Sequence, residues 1–188
     1  MRALTDNHKK YRVIYADPPW RFSSKEVVKY QGKRFSALEK HYATEPIGWI
    51  AELPVAQIAD TDAALFLWST DAHLPDAVRV MQAWGFKYVT VAFAWEKVTR
   101  LGNPVKVLGS WTMKSVELCL FGTKGRMLKY KRINNIDQLV RAERTRHSAK
   151  PPEVRNRIEQ MFGQCNRLEL FARGRVPGWD VWGDESID

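Results

Sequence analysis

The stretch that decides the fold is Val13-Ile14-Tyr15-Ala16-Asp17-Pro18-Pro19-Trp20. An apolar run rich in β-branched and aromatic residues is typical of a buried strand, and this run ends at an acid, two prolines and a tryptophan. Pro18 and Pro19 each fix φ and lack an N–H, so the strand ends before them. Because a residue before proline favours an extended backbone, Asp17 is expected at the strand's carboxyl end, where open α/β sheets bind ligands.

These residues suit the methylation of an exocyclic amine. The amine of adenine is a weak nucleophile because its lone pair is delocalised into the ring, so a methylating site needs acceptors for both amine hydrogens. Asp17 offers a carboxylate, Pro18 offers a carbonyl that its own ring holds in place, and Trp20 offers a flat face for the base. A purely structural interpretation competes with this one: a strand before a Pro-Pro turn, with Asp17 as a cap and Trp20 in the core.

Tyr15–Trp20 resembles the catalytic motif of the MT-A family of adenine-N6 methyltransferases, and the resemblance continues along the chain. The segment 109–112 is similar to the family's Gly-x-Trp-Thr loop over the active site, and 148–153 to its Ser-x-Lys-Pro-x-Glu element. The segment 169–173 resembles its Glu-Leu-Phe-Ala-Arg strand, and 179–185 its closing Trp-x-x-x-Gly element. The catalytic motif therefore precedes the donor-binding strand, which is a permuted order.

The resemblance implies S-adenosylmethionine as the methyl donor and no metal. The implied catalytic residues are Asp17, Pro18, Pro19 and Trp20. The implied donor contacts are Asp17, Lys150, Glu169, Phe171, Arg173, Arg175, Asp184 and Glu185. For Lys150, a head group in water before a helix is an equal alternative. Cations and aromatics in loops predict nucleic-acid contacts by Arg21, Phe22, Tyr42, Lys97, Trp111, Thr112, Lys114, Lys129, Lys131 and Arg132.

Composition points the same way. The 188 residues carry a net charge of +9, and residues 124–157 hold eleven basic side chains against three acids, which favours a polyanionic partner. No apolar run approaches a membrane span, and the first residues do not resemble a signal peptide. Two cysteines are too few for a disulfide framework, and no zinc-ligand spacing is visible. We therefore expect a cytoplasmic protein without a membrane partner.

Apolar runs at 63–68, 88–95, 116–121 and 168–173 predict further strands, with a long loop at 21–42 and an irregular region at 96–114. Helices are expected from Thr44 as N-cap, over 74–84 and over 152–162. This alternation predicts one α/β domain over residues 1–188: a doubly wound, mainly parallel sheet with helices on both faces. The resemblance implies a Rossmann-like class I methyltransferase.

The resulting hypothesis is methyl transfer to N6 of adenine in DNA, on a base flipped out of the duplex. RNA adenosine is an alternative substrate, because the family includes both. A catalytically silent subunit that binds nucleic acid for an active partner is a second alternative. The Asp-Pro-Pro-Trp motif is degraded in such a subunit, whereas it is intact here. A homodimer also stays open, since relatives often dimerise.

Overall fold

The computed structural model describes residues 4–5, 8–21, 28–30, 33–35, 45–109, 111–145 and 149–183. Its strands are β1 (Tyr11–Ala16), β2 (Val28–Tyr30), β3 (Lys33–Phe35), β4 (Ala59–Ser69), β5 (Lys87–Val98), β6 (Val116–Lys124), β7 (Leu139–Glu143), β8 (Arg167–Leu170) and β9 (Asp180–Trp182). Its helices are α1 (Ile47–Glu52), α2 (Val55–Ile58), α3 (Leu74–Ala83) and α4 (Pro152–Phe162). Short 3-10 turns cover Asp71–His73 and Met127–Tyr130.

Seven strands form one sheet in the order β7-β5-β6-β4-β1-β8-β9. The pairs β1–β4, β1–β8, β8–β9 and β5–β7 are parallel, whereas β6 runs antiparallel to both β4 and β5. The reversal follows from the connection between β5 and β6, which carries no helix and returns as a hairpin. The predicted α/β, mainly parallel sheet is confirmed.

Helices cover both faces of this sheet, as predicted. On one face α1, α2 and α3 bury Ile50, Ile58 and Val80 against side chains from β1 and β4. On the other face α4 buries Val154 and Ile158 against the alternate residues of the same strands. Helices therefore cover both faces of β1 and β4, which explains why these strands are nearly continuous apolar runs.

The central strand β1 places the catalytic motif. Ala16 pairs with Leu67 of β4 on one side and with Leu170 of β8 on the other. Since these strands are parallel, their carboxyl ends meet at one edge, beside Asp17. The chain builds one half of the sheet outward from β4 before it returns to β8, so β1 lies at a topological switch point, where such sheets bind ligands.

Several predicted boundaries were wrong. Helix α1 begins at Ile47 with Pro46 as its N-cap, because Pro46 has an extended backbone (φ −59°, ψ 143°); Thr44 lies outside the described residues. The last predicted strand, 168–173, ends at Leu170 because Phe171 takes a positive φ of 61°. The predicted loop at 21–42 contains the antiparallel ribbon β2–β3.

None of the helices in the described part of the chain is long and apolar enough to cross a membrane.

Candidate active site

Two backbone hydrogen bonds hold the Asp-Pro-Pro-Trp turn in place. The Trp20 N–H donates to the Pro18 carbonyl at 2.9 Å, and the Glu45 N–H donates to the Pro19 carbonyl at 2.9 Å. A carbonyl oxygen has two lone pairs, so the Pro18 oxygen can accept one further hydrogen bond. The turn therefore holds Asp17 at the end of β1 in a defined position, next to a carbonyl that still has accepting capacity.

Trp20 lies in the core, with only 6% of its surface exposed. Its indole N–H donates to the Trp68 carbonyl at 3.0 Å, which ties the motif to the end of β4. One ring face stacks on His73, with ring centres 5.7 Å apart and planes 17° from parallel. These are the contacts of a side chain that positions the motif, so base stacking on Trp20 stays a prediction.

His73, to which the sequence assigned no role, clamps the residue after the motif. Its Nε2 lies 3.2 Å from the Arg21 carbonyl, and its Nδ1 lies 2.8 Å from the Thr70 hydroxyl. A carbonyl can only accept, so Nε2 carries a hydrogen, and in the neutral ring Nδ1 then accepts from the Thr70 hydroxyl. This tautomer joins the end of β4 to the end of the catalytic motif.

We expect His73→Ala to lower kcat by about tenfold, because one part-buried hydrogen bond that orients the motif is lost. The KM values for donor and nucleic acid should change by less than about twofold, since His73 acts through the turn. His73→Gln, which keeps an N–H donor, should recover part of kcat, and His8→Ala is the control at an exposed histidine. An unchanged kcat per folded molecule would show that the clamp is only structural.

A chain of four alternating charges surrounds Asp17. The Lys150 ammonium lies 2.7 Å from Asp17 and 3.3 Å from Glu117, and Glu117 also pairs closely with Lys97. Lys150 is the most buried of the four, with 9% of its side chain exposed, and its ammonium lies 5.4 Å from the centre of the Trp68 ring. The charges sum to zero, which makes their shared burial tolerable.

The pairing favours the charged forms of Glu117 and Lys150. Burial disfavours the Glu117 carboxylate, but Lys150 and Lys97 outweigh it and lower the pKa of Glu117. Burial likewise disfavours the Lys150 ammonium, but Asp17 and Glu117 outweigh it and raise the pKa of Lys150. Glu117 had no assigned role, although an acid inside an apolar strand was a usable signal. Lys97, predicted to contact nucleic acid, is here a member of the charge chain.

Glu169 of β8 points toward α4. Arg155 Nη1 lies 2.9 Å from both of its carboxylate oxygens. Burial raises the pKa of Glu169 more than Arg155 lowers it. The predicted donor contact thus has a partner on α4 in this structure, and Arg155 is a residue that the sequence did not single out.

An aromatic cluster lies where β8 ends. The Phe171 ring contacts Trp182 at 5.7 Å and Trp49 at 6.5 Å between ring centres. Phe171 has a left-handed backbone, which is costly for a bulky residue and is often found at binding sites. Gly183 is required nearby, because a Cβ there would lie 2.7 Å from the backbone nitrogen of Ala172. Arg173 and Arg175 follow on the exposed surface.

The remaining predicted residues lie in two places: some at the carboxyl ends of the parallel strands, on the Asp17 edge of the sheet, and the others at the opposite edge, where β4 begins. Lys114 bonds Asp71 at 3.1 Å on the Asp17 edge, where Arg21, Trp111 and Thr112 are exposed. Lys129 instead pairs at 2.7 Å with Asp62, near the start of β4 and about 20 Å from its carboxyl end at 3.3 Å per residue. Lys131 and Arg132 follow it there, and the Arg132 N–H donates to Met161 near the end of α4. Phe22, Tyr42, Asp184 and Glu185 lie outside the described residues.

The fold and the charged site at the carboxyl end of β1 define a Rossmann-like α/β methyltransferase. A profile of the MT-A70 family matches residues 11–185, and the chain belongs to this family of S-adenosylmethionine-dependent adenine-N6 methyltransferases.

Three relatives illustrate its range. The chain is 35% identical to the type II methyltransferase M.MunI of Mycoplasma sp, over 96% of this chain and 79% of that protein. It is 28% identical to the N(6)-adenine-specific methyltransferase METTL4 of Mus musculus, over 100% and 40%. It is 27% identical to the N(6)-adenosine-methyltransferase catalytic subunit METTL3 of Homo sapiens, over 94% and 28%. The chain therefore spans most of the Mycoplasma relative and less than half of the two mammalian ones.

Proposed function

We propose that residues 1–188 act as one catalytic domain that transfers a methyl group from S-adenosylmethionine to N6 of adenine in DNA. The observation that carries this is Asp17, held at the carboxyl end of the central strand by a tight turn and 2.7 Å from a buried ammonium. DNA is favoured over RNA because the type II methyltransferase is the relative with the higher identity and the fuller coverage.

The chain's own residues supply the acceptors that the amine requires. Asp17 accepts one hydrogen of the adenine amine and the Pro18 carbonyl accepts the other, which turns the nitrogen lone pair away from the ring and toward the donor. Lys150 orients the Asp17 carboxylate by a charge-assisted hydrogen bond. Both acceptors are in place beforehand, so the site stabilises charge that develops on the amine without rearranging.

The chemistry of the same edge suits S-adenosylmethionine, whose sulfonium carries the transferable methyl group. The donor's amino-acid end is a zwitterion, and Asp17 and Lys150 offer one charge of each sign. The aromatic cluster of Phe171, Trp182 and Trp49 offers apolar surface for its adenine. The proposed donor contacts are therefore Lys150, Glu169, Phe171, Arg173 and Arg175. The Glu169 carboxylate can accept further hydrogen bonds while Arg155 holds it.

We place the contacts to the DNA backbone on the hairpin between β5 and β6. Residues 97–116 contain no acid, and Arg100 and Lys106 are exposed there. Lys129, Lys131 and Arg132 lie at the far edge of the sheet, so any phosphate contacts that they make are distant from the reaction.

Reversing both hairpin charges, Arg100→Glu with Lys106→Glu, should weaken binding to all duplex sequences. The slope of log affinity against log salt should become shallower by about 2, because two counter-ion releases are lost. The matched control is Lys87→Glu with Lys131→Glu, two exposed lysines at the opposite edge, where the slope should not change. A larger change in the control would move the DNA to that edge.

The function itself is tested by incubating the protein and labelled donor with matched duplex DNA, single-stranded DNA and RNA of one sequence. We expect label on adenine N6 in DNA, with RNA at least about tenfold slower. Labelling confined to RNA would overturn the choice of DNA. Absence of donor binding by calorimetry would instead indicate a silent subunit.

A further inference from the structure

Backbone hydrogen bonds hold the described parts of the connection between β5 and β6, residues 99–109 and 111–115. Val107 and Lys114 exchange two backbone hydrogen bonds of 2.7 Å, and the Val105 N–H donates to the Lys97 carbonyl at 2.8 Å. The Thr99 N–H donates to Asn103 at 2.8 Å, which closes a tight turn. These bonds give the connection, called the hairpin here, a defined shape and place Trp111, Thr112 and Met113 in the turn between Val107 and Lys114.

The two turns of this connection expose large apolar side chains to water, Leu101 in the first turn and Trp111 and Met113 in the second. Trp111 is 97% exposed and Leu101 is 86% exposed, and Met113 is more than half exposed. A tryptophan buries 150–250 Å² when it finds a partner, so a fully exposed indole on an ordered hairpin indicates a surface that is covered during function. The same connection carries the exposed cations Arg100 and Lys106, and residues 97–116 contain no acid, which matches a polyanion.

The hairpin is anchored to the catalytic edge. Lys114 bonds Asp71, which follows the end of β4, and Lys97 and Glu117 at its base belong to the charge chain that reaches Asp17. Trp111 is three residues from Lys114, so at most about 10 Å of chain separates their Cα atoms. An indole at this distance from the anchored edge is within reach of the DNA from which the target adenine must leave.

We infer that Trp111 enters the base stack and fills the space left when the adenine is turned out toward Asp17. The inference rests on the proposed DNA methylation and adds a residue that opens the substrate. Unstacking a base is costly, and proteins that open duplexes often insert an apolar side chain at the vacated step. An aromatic ring suits this task because it can stack on bases of any identity.

The test compares Trp111→Ala with the parent on three DNAs: a paired duplex, the same duplex with an abasic site opposite the target adenine, and the single strand. We expect kcat/KM to fall by about 30-fold on the paired duplex, the range of one base–aromatic stack, and by less than about threefold on the other two. Trp111→Phe should keep most of the activity. Leu128→Ala, at a residue that is 79% exposed beside Lys129, should change none of the three rates.

A second measurement does not depend on catalysis. With 2-aminopurine in place of the target adenine, the parent should increase its fluorescence on binding, and Trp111→Ala should not. Equal rate losses on all three DNAs, no loss on any, or an unchanged fluorescence increase would overturn the inference. A difference in oligomeric state between the parent and Trp111→Ala in sedimentation would also overturn the inference, because Trp111 would then bind a second copy of the chain. If the parent methylated none of the three DNAs but still increased the fluorescence on binding, the proposed function would be wrong. The inference about Trp111 would still hold.

Discussion

Asp17→Ala is expected to lower kcat by roughly a hundredfold or more, the size of losing one preorganised polar group at a reacting centre. The bond from the amine to Asp17 strengthens as positive charge develops on the nitrogen, so it contributes more in the transition state than in the ground state. Affinity for DNA should hold, because it comes mainly from phosphate contacts. Steady-state kinetics with saturating donor measure this directly.

Asp17→Asn is the matched variant. It keeps the shape and one acceptor oxygen, so it should retain partial activity, between the parent and Asp17→Ala. Both variants should fold as the parent does by circular dichroism. Asp17→Ala working at the parent rate would contradict the assigned role.

Lys150→Met is expected to have the largest combined effect on stability and activity. Lys150 is shared by Asp17 and Glu117, whose side chains are only 20% and 14% exposed. Removing one partner of a buried ionic group leaves charge uncompensated, so we expect unfolding in urea to become easier by about 3 kcal/mol. Adding Asp17→Asn, which neutralises the carboxylate that lost its ion pair and leaves the Lys97–Glu117 pair intact, should restore most of that stability but not kcat.

The same charge chain sets the pH range of stability. The pKa of Glu117 in the folded state lies below its usual 4.5, so its contribution is present above that value and is lost as pH falls through the folded pKa. The pKa of Lys150 lies above its usual 10.5, so its contribution is present below that value and is lost as pH rises through the folded pKa. In Lys150→Met the free energy of unfolding should begin to fall at a higher pH on acidification than in the parent. The same pH dependence in both proteins would show that the pairing contributes little.

Local patterns explain which elements were predictable. The strand before Asp17 and the strand within β4 follow from continuous apolar runs. Helices α3 and α4 follow from apolar periodicity, with a proline in the first turn and a glycine after the end. The reversal of β6 and the pairing of β7 with β5 are not local, because they depend on which distant strand lies alongside. Phe171 shows another limit, since its positive φ arises from packing at the end of β8 and no residue preference announces it.

The candidate site shows the same division. Asp17 and Lys150 could be singled out by motif, but their contact joins residues 133 positions apart. Lys97 resembled a loop cation because the strand carrying it is longer than its apolar run. The basic segment 124–157 appeared to be one surface, whereas the sheet separates Lys129 from Lys150 by placing them at opposite edges.

The most direct test of methyl transfer to adenine N6 uses a host that lacks DNA methylation. The protein and its Asp17→Ala variant are expressed separately, and the host DNA is digested to nucleosides for mass spectrometry. We predict N6-methyldeoxyadenosine in the DNA of cells with the parent protein and a level near background with the variant. Methylated cytosine in its place, or equal N6-methyldeoxyadenosine with both proteins, would contradict the account.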